Sequence, residues 1–73
     1  MQQVIINSEP VELYKVLKFE GLVGSGGEAR RVIAEGMVQL NGETETRKRK
    51  KVSAGDIIEF AGQQFVLQLG RSD

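Results

Sequence analysis

The chain contains no cysteine and no histidine. Disulfide staples are therefore excluded, and so are the thiolate and imidazole ligands on which most zinc and haem sites depend. Ser25 has no imidazole anywhere in the chain to activate it as a nucleophile. Tryptophan is absent, and the aromatic side chains are only Tyr14, Phe19, Phe60 and Phe65. These are expected to fill the core, Phe19 at a helix end, which argues against a platform for stacked bases. No apolar run approaches the roughly 20 residues of a membrane span. Met1-Gln2-Gln3 lacks the basic start and long apolar stretch of an export signal, so a cytoplasmic location is expected. A chain of 73 residues makes one domain with a thin core, leaving little interior for a catalytic cleft. No enzymatic activity, metal or cofactor is expected.

Net charge is also missing, because ten basic residues face ten acidic ones. The distribution is far from even. Arg47-Lys48-Arg49-Lys50-Lys51 holds half of the basic residues in five consecutive positions. Screening makes fields local, over about 8 Å at physiological salt. A concentrated run can therefore attract a polyanion even on a neutral protein.

The hydrophobic pattern divides the chain into helices first and strands later. Gln3-Val4-Ile5-Ile6 is β-branched and suits a short N-terminal edge strand. Ser8 is a candidate helix cap, with Glu9 and Pro10 in the first turn and the helix running to about Glu20. Leu13, Val16 and Leu17 share its apolar face, with Tyr14 at the edge and Glu12, Lys15 and Lys18 outward. Gly21 ends it. Ser25-Gly26-Gly27-Glu28 has capping-box spacing for a second helix, which runs to about Glu35 with Ala29, Val32 and Ile33 facing inward. Gly36 stops that helix. Met37 to Leu40 then alternates, Asn41-Gly42 is a strong hairpin signal, and Glu43 to Thr46 returns. Gly55-Asp56 turns into Ile57 to Phe60, and Ala61-Gly62-Gln63 turns into Gln64 to Leu67. The expected fold is α+β: two helices followed by a small antiparallel sheet. The core spans about residues 8–68 of a single domain, with residues 69–73 a frayed tail.

Three features could carry chemistry. The basic run 47–51 suits phosphate contact, with release of condensed counterions as the driving force. Its plain alternative is a solvated loop whose charges pair with Glu43 and Glu45, although five adjacent cations repel one another. Arg30 and Arg31 lie beside the Ser25 turn, where free N–H groups and bidentate guanidinium geometry suit a phosphate. Arg31 has a plain alternative in pairing with Glu35 or Glu28 along the helix. Arg30 stays open between the two readings. The glycines Gly24, Gly26 and Gly27 form neither a P-loop, since no Gly-Lys-Ser/Thr follows, nor a dinucleotide fingerprint, since no βαβ unit flanks them.

The segment from Gly24 to Gly42 resembles the core of the S-four-type RNA-binding domain, named for a small-subunit ribosomal protein. The shared features are a serine opening the second helix, an alanine four residues on, an aliphatic pair, a helix-ending glycine and a Val-x-Leu-Asn-Gly hairpin. Gly55-Asp56 before the next strand completes them. The likeness covers roughly residues 10–67 and is strongest to short, free-standing bacterial members of the YbcJ type. It implies RNA binding through the second helix, its preceding loop and the nearby hairpin surface. On this chain that points to Ser25, Gly26, Arg30, Arg31, Arg47, Lys48, Arg49, Lys50 and Lys51. Many family members carry arginine directly after the serine, where this chain has Gly26. The resemblance also implies that catalysis in larger family proteins resides in other domains.

The expected function is thus non-catalytic docking of a basic face on structured RNA, whether ribosomal RNA, tRNA or a small RNA, by a monomer associated with the ribosome or a ribonucleoprotein. The rival is a module whose basic loop grips an acidic protein or a membrane surface. A sulfur carrier, suggested by the Gly-Asp-x-Ile-Glu strand, is not expected, since such carriers resemble one another in ending on Gly-Gly and this sequence ends Leu69-Gly70-Arg71-Ser72-Asp73. Geometry adds one expectation. The hairpin should return Thr46 close to Met37, so that residues 47–51 emerge beside the second helix on the same face as Arg30.

Overall fold

The computed structural model describes residues 1–70. Seven strands and two helices follow one another: β1 (Gln2–Ile6), β2 (Val11–Glu12), α1 (Leu13–Phe19), α2 (Gly26–Ala34), β3 (Val38–Leu40), β4 (Glu43–Thr44), β5 (Lys51–Val52), β6 (Ile57–Phe60) and β7 (Gln63–Leu69). Five strands form one sheet in the order β1-β7-β6-β3-β4, and β2 pairs with β5 apart from it. Leu13, Val16 and Leu17 of α1 and Ala29, Val32 and Ile33 of α2 are buried, as their helical spacing predicts. They join Val4, Ile6, Val38, Leu40, Ile58, Phe65 and Leu67 from the sheet in one core cluster. No helix among the described residues is long and apolar enough to cross a membrane.

Both helices stop at glycine for the same reason. Gly21 and Gly36 have φ of 72° and 78°, a region that costs any other L-residue energy. At each stop the next two N–H groups reach back to the last turn. Gly21 and Leu22 donate to the Lys18 and Leu17 carbonyls, and Gly36 and Met37 donate to those of Ile33 and Val32. That is the Schellman arrangement, which satisfies carbonyls the helix itself leaves unpaired.

The strand region is pinned by its turns. Asn41 and Gly42 both have positive φ, 53° and 86°, as a two-residue turn between paired Leu40 and Glu43 requires. The Asn41 side chain also reaches the second turn: its Oδ1 accepts from the Ile57 N–H at 2.8 Å, and its Nδ2 donates to Asp56 Oδ1 at 3.1 Å. Asp56 Oδ2 accepts from the Ser53 N–H at 2.8 Å. The asparagine and the aspartate therefore tie the two turns together, which gives each of these short signatures a mechanical reason.

Four expectations differ from the structure. The first helix begins at Leu13, not after Ser8. Residues 8–10 bend, the Glu9–Pro10 bond is cis, and Glu9 accepts from the Ala54 N–H at 2.8 Å. Val11 and Glu12 are drawn into pairing with Val52 and Lys51, and this long-range ladder prevails over the local cap. Second, the sheet is mixed, because β1 runs parallel to β7. A parallel neighbour needs a long crossover, here most of the chain, and no local pattern reports it. Third, Leu69 belongs to β7 and the Gly70 N–H donates to the Ile6 carbonyl at 2.8 Å, so neither is frayed. The rest of the expected tail, residues 71–73, lies outside the described residues. Fourth, Phe19 is 68% exposed. It lies two positions beyond Leu17, about 200° around the helix from that buried face.

Replacing Asp56 with alanine removes two acceptors and leaves their donors unmatched. Asp56→Ala is expected to lower unfolding free energy by about 2 kcal/mol. Urea denaturation measures this as a lower midpoint, and a midpoint unchanged from the parent would contradict the role given to Asp56.

Candidate nucleic-acid interface

The first turn of a helix carries N–H groups with no partner inside the helix. In α1 the residue at the cap is Glu12, and its side chain makes no capping bond. The donors are satisfied from elsewhere: Leu13 N–H donates to the Lys50 carbonyl at 2.9 Å and Tyr14 N–H to the Lys48 carbonyl at 3.1 Å. The basic run is thereby fastened by its main chain to the start of α1, which leaves its side chains uncommitted by the attachment. Lys50 N–H also donates to the Arg47 carbonyl at 3.2 Å, closing a turn within the run.

Tyr14 joins this run to α2. The Arg30 guanidinium carbon lies 5.5 Å from the Tyr14 ring centroid, within cation–π range. One helical turn onward in α1 and one turn back in α2, the Lys18 side chain lies against Gly26. A Cβ at Gly26 would sit 3.5 Å from Lys18 Cδ and 3.9 Å from its Nζ. Tyr14 and Lys18 are four residues apart, as are Gly26 and Arg30, so the contacts form two rungs between the helices. Lys18 and Arg30 thus lie along a single seam between the helices, with the Lys48 main chain fastened at its Tyr14 end. The run meets Arg30 through Tyr14 at the start of α1, whereas the hairpin argument put it beside the end of α2.

The nine residues singled out from the sequence fall into different roles. Ser25 opens α2, its Oγ accepting from the Glu28 N–H at 3.1 Å. Glu28 points its carboxylate toward Gly24, with Oε2 3.6 Å from a Cβ placed there. Arg31 pairs with Glu35 at 3.2 Å along the exposed side of α2. Arg47 is held by Glu45, with Nε to Oε2 at 3.0 Å and Nη2 to Oε1 at 3.3 Å. Arg49 approaches Glu12 at 3.9 Å. Among the described residues, the ion pairs within 4.0 Å engage neither Arg30, Lys48, Lys50 nor Lys51. Gly26 contributes the bare backbone against which Lys18 rests.

Two residues of the seam, Tyr14 and Lys18, were not singled out from the sequence. Their signal was the spacing of four that they share with Gly26 and Arg30. It becomes meaningful only once the two helices are known to lie side by side.

Acids placed under the run temper its self-repulsion. Glu12 salt-bridges Lys15 at 3.2 Å and sits opposite Lys51 in the β2–β5 ladder. Its carboxyl lies below the ordinary glutamate range, chiefly through the hydrogen bond from Lys15, with the charges of Lys15, Lys51 and Arg49 adding to it against a desolvation cost. Glu45 is lowered as well, first by the Arg47 side-chain hydrogen bond, and Arg47 is raised in return.

What this defines is an α+β domain whose paired helices and one strand-connecting loop, the basic run, meet at Tyr14. The S4 domain family model matches residues 4–68, and the chain belongs to that family. The putative RNA-binding protein YbcJ of Escherichia coli strain K12 is 52% identical over 52 residues, covering 71% of this chain and 74% of YbcJ. The solution structure of YbcJ, described as containing a motif involved in RNA-binding, superposes with a TM-score of 0.68 at 43% identity, over 92% of this chain and 86% of that one. The probable ribosome maturation protein RlbA of Bacillus subtilis strain 168 is 32% identical over 59 residues, 81% of this chain and 83% of RlbA. A tyrosine–tRNA ligase of Bordetella pertussis is 33% identical over 64 residues, which are 88% of this chain but 16% of the ligase.

The two lowered carboxyls set a direction for acid sensitivity. A glutamate held below its ordinary value, near 4.5, adds stability above that pH and loses it as pH falls through the lower folded value. A Glu12→Gln, Glu45→Gln double variant should therefore lose less stability than the parent between roughly pH 5 and pH 3. Urea midpoints across that range measure it, and parallel curves for the two proteins would contradict the assignment.

Proposed function

We propose that this protein binds structured RNA through the seam of Lys18, Arg30 and the run from Arg47 to Lys51, and that it carries out no chemistry on what it binds. The observation that carries this reading is that Tyr14 meets the Arg30 guanidinium with its ring and the Lys48 carbonyl with its N–H. It turns two separate groups of cations into one surface long enough to meet several phosphates. Phosphate contact is sequence-independent and fixes position on folded RNA. The likeness to YbcJ, a putative RNA-binding protein, and to RlbA, a probable ribosome maturation protein, supports the same reading, and ribosomal RNA is the first RNA to try. Within the surface, Arg30, Lys48, Lys50 and Lys51 are the principal phosphate contacts. Ser25, Arg31 and Arg47 contribute mainly by shaping it.

If about five phosphates are engaged, log affinity falls against log salt with a slope of roughly −3 to −5. Replacing Lys48, Arg49 and Lys50 together with glutamine should lower affinity strongly and flatten the slope by about one unit per lost phosphate contact. The fold should survive, because the attachment to α1 uses carbonyl groups that glutamine also possesses. Fluorescence anisotropy against a ribosomal RNA helix, with circular dichroism as the control for folding, measures both. Affinity unchanged in the triple variant, or greater affinity for anionic lipid vesicles than for RNA, would contradict the proposal.

A further inference from the structure

Phe19 is the one aromatic among the large apolar side chains exposed in the described residues. Beside it stands Lys18, whose Nζ is 5.7 Å from the Phe19 ring centroid and whose stem rests against Gly26. No carboxylate lies within 4.0 Å of the Lys18 ammonium among the described residues. Phe19 also lines a recess of about 170 Å³ whose other walls are apolar at Ile5, Ile6, Val11 and Val16 and polar at Asn7, Ser8 and Glu20. The ring therefore stands where the seam meets this recess.

A fully paired RNA helix offers phosphates but hides the faces of its bases. An unpaired nucleotide offers a phosphate and an aromatic face together. We propose that Lys18 and Phe19 form a subsite for one unpaired nucleotide, with its phosphate at the Lys18 ammonium and its base stacked on the exposed Phe19 ring over the mouth of the recess. The assignment rests on the RNA-binding reading, and continuity with the seam argues for RNA here. An RNA strand lying along Lys48, Arg30 and Lys18 reaches Phe19 next. An apolar peptide would have to cover the Lys18 ammonium without supplying an anion. The subsite adds a preference that the seam alone lacks, for helices interrupted by a bulge or ending in an overhang.

Two RNA hairpins test this, identical except for one bulged adenosine in the stem. The full chain should bind the bulged hairpin about ten-fold more tightly, in line with the usual contribution of stacking on an aromatic side chain. Phe19→Ala should abolish that difference while keeping the affinity for the perfectly paired hairpin, and Phe19→Trp should retain it. With 2-aminopurine in place of the bulged adenosine, fluorescence should be quenched on binding to the parent and not to Phe19→Ala. Equal binding of both hairpins by the parent, or an equal loss on both in Phe19→Ala, would overturn the subsite and leave the seam intact. Failure of the parent to bind either hairpin would overturn the RNA reading itself. Dimers that sediment at micromolar concentration in the parent but not in Phe19→Ala would assign the recess to a second copy instead.

Discussion

Two main-chain hydrogen bonds hold the basic run to the start of α1, those from Leu13 and Tyr14 to the carbonyls of Lys50 and Lys48. A helix start buried against a sheet must find acceptors for its first N–H groups. Here they come from the most highly charged segment of the chain. The same contact caps α1 and fixes the basic run, so a segment that would otherwise be a repelling, mobile loop becomes an ordered array. Because the bonds use backbone carbonyls, the side chains of Lys48 and Lys50 are not committed by them.

The charge balance follows from that attachment. Five adjacent cations cannot be held in place without compensation, and Glu12 and Glu45 provide it from positions flanking the run. Glu45 takes Arg47 outright, while Glu12 gathers Lys15 and Arg49 and faces Lys51 across the ladder. A net charge of zero thus coexists with a run of five cations, because Glu12 and Glu45 pair with Lys15, Arg47 and Arg49 and leave Lys48, Lys50 and Lys51 outside any ion pair among the described residues. An ordered cation array loses less freedom on meeting a phosphate backbone than a flexible one, which favours binding to folded RNA.

Much of the fold was legible because its signals are local. Ser25 caps α2, Gly21 and Gly36 end the helices, and the inward faces of both helices follow from spacing of three and four. What could not be read depends on distant parts of the chain. Residues 11–12 read as helix until Val52 and Lys51 claim them for a ladder. The parallel pairing of β1 with β7 joins segments more than sixty residues apart. For the site, the sequence showed which residues were basic but not which were occupied. Arg31 and Arg47 prove to be paired, and Lys18 and Tyr14 gain importance only through the neighbours the fold gives them. Phe19 was misjudged for a related reason: four aromatics in a small chain suggest four core positions, yet Leu13, Val16 and Leu17 already fill the inward face of α1.

The central claim is that one continuous surface, organised around Tyr14, meets the RNA. Backbone amide shift mapping on the ¹⁵N-labelled chain tests it most directly, during titration with a ribosomal RNA helix. The account predicts that the largest changes run along Tyr14, Lys18, Gly26, Arg30 and Lys48 to Lys51, with the open face of the sheet at Gln39, Glu59 and Gln64 unmoved. Changes centred on that sheet face, or confined to the basic run with Tyr14 and Arg30 silent, would contradict it.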